Sequence, residues 1–163
     1  MNNKKSRACR VITNCFLDGR SPVNNSPGTK KECLNLLKKI VEKERKVQKI
    51  FGYDLIIINH DTGYTEGNYY LNSINKSKLK HGEIKIVHTK NLGLSFDGFN
   101  TAFVLFREDY DYWLFTEDDH ELFQDDYFKV LIDEFDSLSN KNIGFLCLAP
   151  IAKSSSHPIH AGG

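Results

Sequence analysis

The sequence predicts a single α/β domain with a mostly parallel central sheet and helices on both faces, on three observations. Short apolar runs alternate with helix-period segments along the chain, as parallel βαβ units require. One run, residues 54–59 (DLIIIN), is almost continuously apolar, as in a strand buried on both faces. Polar residues gather just after the runs, at Asn14, at Asn59 to Asp61, at Asn91 and at Glu117 to Asp119. Ligands of parallel sheets collect at that edge, outside the carboxyl ends of the strands.

Each element has its own local reason. Residues 1–8 read as a loose tail and 9–163 as the domain. Residues 10–16 (RVITNCF) are the first expected strand, and 17–28 form a loop rich in Gly, Asn, Ser and Pro. Thr29 and Glu32 have capping-box spacing, in which each side chain satisfies the other's backbone amide. The helix they start carries Cys33, Leu37, Ile40, Val47 and Phe51 on one stripe, and Gly52 ends it. Residues 54–59 are the second strand. The polar, Asn-rich stretch 64–80 holds one short helical turn. Residues 83–88 are the third strand. Ser95 caps a helix with Phe96, Phe99, Ala102, Phe103 and Phe106 on one side. Residues 112–116 are the fourth strand. Asp125 caps a helix with Phe128, Leu131, Ile132 and Phe135 inward, and 143–148 are a fifth strand. No internal repeat is found.

Composition narrows the function. The chain has 163 residues, 40% of them apolar and 12% aromatic, enough for one domain with a core. A net charge of +1 gives no bulk attraction to nucleic acid, which is excluded as a partner. The lysine pairs 4–5, 30–31 and 38–39 read as solvated. No apolar run reaches the roughly 18 residues of a membrane-spanning helix. Cys9, Cys15, Cys33 and Cys147 have neither zinc nor redox-pair spacing. Reduced thiols in a cytoplasmic protein, free or peripheral at a membrane surface, are the expectation.

The chemistry concentrates after the fourth strand, where three carboxylates, Glu117, Asp118 and Asp119, follow an apolar run. Crowded carboxylates repel one another unless a cation lies among them. Oxygen ligands suit Mg²⁺ or Mn²⁺, which keep positions open for phosphate oxygens. The residues therefore point to a metal-assisted enzyme with a phosphorylated substrate. A solvated acidic turn before a helix is the structural alternative.

Three segments, in this order, resemble the nucleotide-sugar-binding half of a family 2, GT-A type glycosyltransferase, which has a Rossmann-like fold. They are the strand RVITNCF with its loop and helix, the segment NLGLSFDGFN at 91–100, and YWLFTEDDHELFQDDYF at 112–128. The resemblance runs from about Val11 to the end of the chain. It implies that Glu117 and Asp119 take the places of the two acids of an Asp-x-Asp motif. Asp119 would hold Mn²⁺ or Mg²⁺ at the donor diphosphate, with Glu117 as a second metal ligand. Glu117 or Asp118 would lie near the ribose or sugar. Asn14, Asn59, Asp61, Asn91 and Asp97 are the further donor-binding candidates. The motif after residue 58 departs from the family, reading Asn-His-Asp-Thr-Gly in place of Asp-Asp-x-Ser. His60 is read as a bystander, Asn91 and Gly93 as turn-formers or donor contacts, and Asn100 as structural or donor-facing.

The implied activity is transfer of a hexosyl or related group from the nucleotide sugar to an acceptor hydroxyl of a saccharide, lipid or protein. No catalytic base is found in the sequence. The chain ends before the acceptor-binding region such a family has, so a truncated transferase is expected. Its His157 and His160 are read as terminal side chains that could also contact diphosphate or metal. Two other classes stay open. A nucleotidyltransferase that makes nucleotide sugars would carry a Gly-rich basic loop after the first strand; here Gly19 and Arg20 stand without a second nearby glycine. A non-catalytic sugar-nucleotide-binding remnant would bind donor and transfer nothing.

Overall fold

The computed structural model describes residues 7–19, 28–47, 52–90, 94–120, 122 and 125–138. Its elements alternate as β1 (Ala8–Asn14), α1 (Lys30–Val47), β2 (Asp54–His60), α2 (Thr65–Ile74), β3 (Ile84–Thr89), α3 (Leu94–Phe106), β4 (Tyr112–Glu117) and α4 (Tyr127–Ser137). The four strands form one sheet in the order β3-β2-β1-β4, every pair parallel. The expected α/β, Rossmann-like architecture is therefore present. The expected fifth strand, Asn91, Gly93, Phe51, Cys147, His157 and His160 lie outside the described residues.

Alternation along the strands sorts the core into two faces. Ile12, Leu55, Ile57 and Ile84 point to one face, where Leu34, Leu37, Ile40 and Val41 of α1 and Leu71 and Ile74 of α2 cover them. Tyr127, Phe128 and Ile132 of α4 cover Ala8, Tyr112 and Leu114 on that same face. Cys9, Val11, Ile56 and Ile58 point the other way, toward Ala102, Phe99 and Phe106 of α3. Residues 55 to 58 are fully buried, as a strand covered on both faces should be.

Local chemistry sets several element ends. The capping box of α1 is formed: the Thr29 N–H donates to Glu32 Oε2 at 3.0 Å and the Glu32 N–H to Thr29 Oγ1 at 3.2 Å. β1 begins two residues earlier than expected. Ala8 is buried in it, and the Arg7 carbonyl accepts from the amides of Asp111 and Tyr112, so residues 7 and 8 belong to the domain and not to a tail. The stretch expected to hold one helical turn carries the ten-residue α2.

Two helix starts also differ. Ser95 is inside α3, not its cap, because the helix begins at Leu94. Asp125 is exposed and precedes the N-cap of α4, which is Asp126, with φ 57° and no side-chain capping bond. α3 lies on the sheet through its smallest residues. Gly98 and Ala102, one turn apart, face the strands, while Phe96 (83% exposed) and Phe103 (46%) stay at the surface, against expectation. Phe99 and Phe103 lean over β4, with ring centroids 5.1 Å from Phe115 and 5.4 Å from Trp113. Among the described residues no helix is long and apolar enough to cross a membrane.

Candidate functional site

Strand order decides where a site can form. From β1 the chain moves to β2 and β3 on one side, then crosses by α3 to β4 on the other. The reversal makes the carboxyl ends of β1 and β4 the topological switch point, where such sheets bind ligands. Asn14 ends β1 and Glu117 ends β4, so the acids deduced from sequence stand at that switch point.

Residues 117–120 form a tight turn, closed by the His120 N–H donating to the Glu117 carbonyl at 3.2 Å. The turn brings Glu117, Asp119 and His120 together, with one ligand atom of each inside a 4.8 Å group. Two carboxylates and an imidazole are a donor set suited to Mn²⁺, which accepts both oxygen and nitrogen, and the carboxylates alone suit Mg²⁺. The acids are oriented by neighbours. Ser95 Oγ donates to Glu117 Oε1 at 2.5 Å, tying the turn to the first turn of α3. The Glu117 N–H donates to His120 Nδ1 at 3.1 Å, which leaves the proton of the neutral ring on Nε2, 4.0 Å from Asp119 Oδ1. At 4.0 Å the two side chains are neighbours without a hydrogen bond, and His120 could offer Nε2 to a cation only on releasing the Glu117 amide.

Asp118 does different work. It is 4% exposed, and its Oδ2 accepts the Cys15 N–H at 3.1 Å, pinning the end of β1 to the end of β4. Beneath the turn, Arg10 Nη2 donates to the His120 carbonyl at 2.9 Å and Nε to Thr116 Oγ1 at 3.1 Å. Arg10 Nη1 is paired with Glu44 Oε1 at 2.7 Å, and both side chains are 1% exposed. Burial opposes the guanidinium charge, but Tyr127 and Glu44 outweigh it and hold Arg10 above its ordinary range.

The other candidates form a second polar group at the ends of β1 and β2. Asn14 and Asn59 are register partners, and Asn14 Nδ2 donates to Asn59 Oδ1 at 2.6 Å. Asn59 Nδ2 reaches Asn68 Oδ1 at 3.0 Å and His88 Nδ1 at 3.1 Å. Asn68 Nδ2 in turn donates to Asp61 Oδ1 at 2.8 Å. The Asn68 amide and then the Gly63 N–H hold the Asp61 carboxyl below the usual carboxylate range, so it is ionised at neutral pH. Asn14 Oδ1, Thr13 Oγ1 and His60 Nε2 are buried and have no hydrogen-bond partner among the described residues.

The two groups thus unite Asn14, Asn59 and Asp61 on one side and Glu117 and Asp119 on the other. Asp97 lies in the first turn of α3 and is partly buried, and Asn100 is exposed on the same helix. Sequence reasoning missed His120, Asn68 and Arg10. His120 carried a usable signal, its position three residues after Glu117, the spacing a turn closes. Comparisons of the chain with family models, with curated proteins and with solved structures find no match.

Proposed function

We propose that this chain binds a nucleotide sugar with Mn²⁺ or Mg²⁺ and forms the donor half of a metal-dependent glycosyltransferase. The observation that carries the reading is the Glu117–Asp119–His120 group at the switch point between β1 and β4. Glu117 and Asp119 would hold the cation, which when bound offsets the charge of the leaving diphosphate. Asp119 would be the principal ligand, with the His120 ring beside it. Glu117 joins it from the end of β4, oriented by Ser95.

The nucleoside falls to the Asn14–Asn59–Asn68–Asp61 network, where amides and an ionised carboxylate suit ribose hydroxyls and base edges. The unpartnered Asn14 oxygen supports this, because native buried acceptors are rarely left unmatched. Asp97, in the first turn of α3, is a further candidate for the donor base or sugar. Asp118 holds β1 to β4 rather than touching the donor. The reaction class is attack of an acceptor hydroxyl on the anomeric carbon, with the nucleoside diphosphate departing.

Asp119→Asn tests the assignment. It keeps the size of the side chain and removes the charge, so the fold should survive while Mn²⁺-dependent nucleotide binding is lost. Calorimetric titration checks this, with circular dichroism to confirm folding. Equal affinity in the folded variant would sink the metal role of Asp119.

A further inference from the structure

We infer that Arg10 is a positioning residue that holds the Glu117–His120 turn in its cation-binding shape. The inference rests on the metal reading of that turn given above. Arg10 rises from the middle of β1, wholly buried, and none of its side-chain bonds to Thr116, Glu44 and His120 is to a backbone group of the sheet's own ladder. Nε takes Thr116, the residue just before Glu117. Nη2 takes the carbonyl of His120, the last residue of the turn. One planar fork thus grips both ends of the four residues that carry the candidate ligands, with the fixed spacing only a guanidinium supplies.

On its far side the fork lies against a buried polar group that does not touch the turn. Glu44 Oε1 accepts from Nη1, and Tyr127 lies with its ring centroid 5.7 Å from the guanidinium carbon. The Tyr53 hydroxyl donates to Glu44, and the Tyr127 hydroxyl lies 3.0 Å from Glu44 Oε2. A second cation from α1 grips the chain just beyond the turn, where the Lys43 ammonium donates to the Leu122 carbonyl. A buried ion pair is a weak source of stability on balance, because desolvation offsets attraction. Its direct bonds to Thr116 and the His120 carbonyl give this one a different task.

The test compares Arg10→Lys with Glu44→Gln. Lysine keeps the charge beside Glu44 but cannot bridge Thr116 and the His120 carbonyl at once. Glutamine weakens the ion pair and leaves both of those Arg10 bonds in place. Mn²⁺ affinity, read by the electron-spin-resonance signal of free Mn²⁺, should fall about 10- to 100-fold in Arg10→Lys, as for other groups that orient metal ligands. It should stay at the wild-type value in Glu44→Gln. Amide exchange at Glu117, His120 and Cys15 should quicken in Arg10→Lys alone. If Arg10→Lys does not fold, the double variant Arg10→Met, Glu44→Met removes both buried charges together and takes its place.

A folded Arg10 variant with wild-type Mn²⁺ affinity overturns the inference, as does an equal loss in Glu44→Gln. Absence of Mn²⁺ binding by the wild-type chain overturns the metal reading, and the role of Arg10 with it. Faster exchange at the turn in that case would mark Arg10 as a support of the turn alone.

Discussion

A Cβ placed on Gly98 would lie 2.4 Å from Thr13 Cγ2 and 3.0 Å from His60 Nε2, so α3 reaches the ends of β1 and β2 only through a residue without a side chain. Thr13 and His60 are both buried and have little room to yield. Gly98→Ala should therefore destabilise the fold by about 1–3 kcal/mol, the usual cost of overpacking, despite alanine's better helix propensity. Denaturant unfolding checks this, and an unchanged midpoint would mean that α3 sits farther from the sheet. The same contact explains why Phe96 and Phe103 are not inward. Reading the sequence by hydrophobicity ranks the phenylalanines first, whereas the distance between helix and sheet is set by the smallest residues. Arg10 was hidden for a related reason. Nothing near it in sequence pairs with it, and its partners come from two distant segments, Glu44 from α1 and Thr116 and His120 from the end of β4 and its turn.

Elements were legible where one signal dominated. β2 announced itself by an unbroken apolar run, and α1 by an apolar stripe behind a capping box. That box is a local device. Thr29→Ala should lower stability by about 1 kcal/mol through loss of the bond to the Glu32 amide, measured as a shift in the thermal midpoint. No shift would mean that water replaces the hydroxyl without cost. α2 was underestimated because glycine and asparagine weaken helix propensity and only Gly67, Leu71 and Ile74 of its ten residues are buried. The glycine that weakens the signal is needed by the fold, since a Cβ there would lie 2.4 Å from the Phe16 ring. The start of α4 was misplaced by one residue, as Asp126 takes a left-handed backbone with no side-chain bond to advertise it. At the site, Glu117 and Asp119 were legible because a strand end and an acidic run coincide. His120 was missed there, although it stands three residues after Glu117, the spacing that the turn closes.

At the scale of the whole molecule, the strand order β3-β2-β1-β4 matters more than any one residue. It brings the acidic turn of β4 beside the end of β1, and the end of β1 beside the Asn59–Asp61 group of β2. An acidic corner and an amide-rich corner that holds the ionised Asp61 then share one edge of one sheet. On the proposed reading, a cation at the acidic corner would take the diphosphate and the amide-rich corner would take the nucleoside. The corners are coupled through Asp118, which ties the turn to the Cys15 amide one residue past Asn14. The most direct test is calorimetric titration of the folded chain with UDP, GDP, CDP and dTDP, each with and without Mn²⁺. The account predicts that one nucleotide binds and that its binding requires Mn²⁺. Metal-independent binding, or no binding of any of the four to a folded chain in the presence of Mn²⁺, would contradict it.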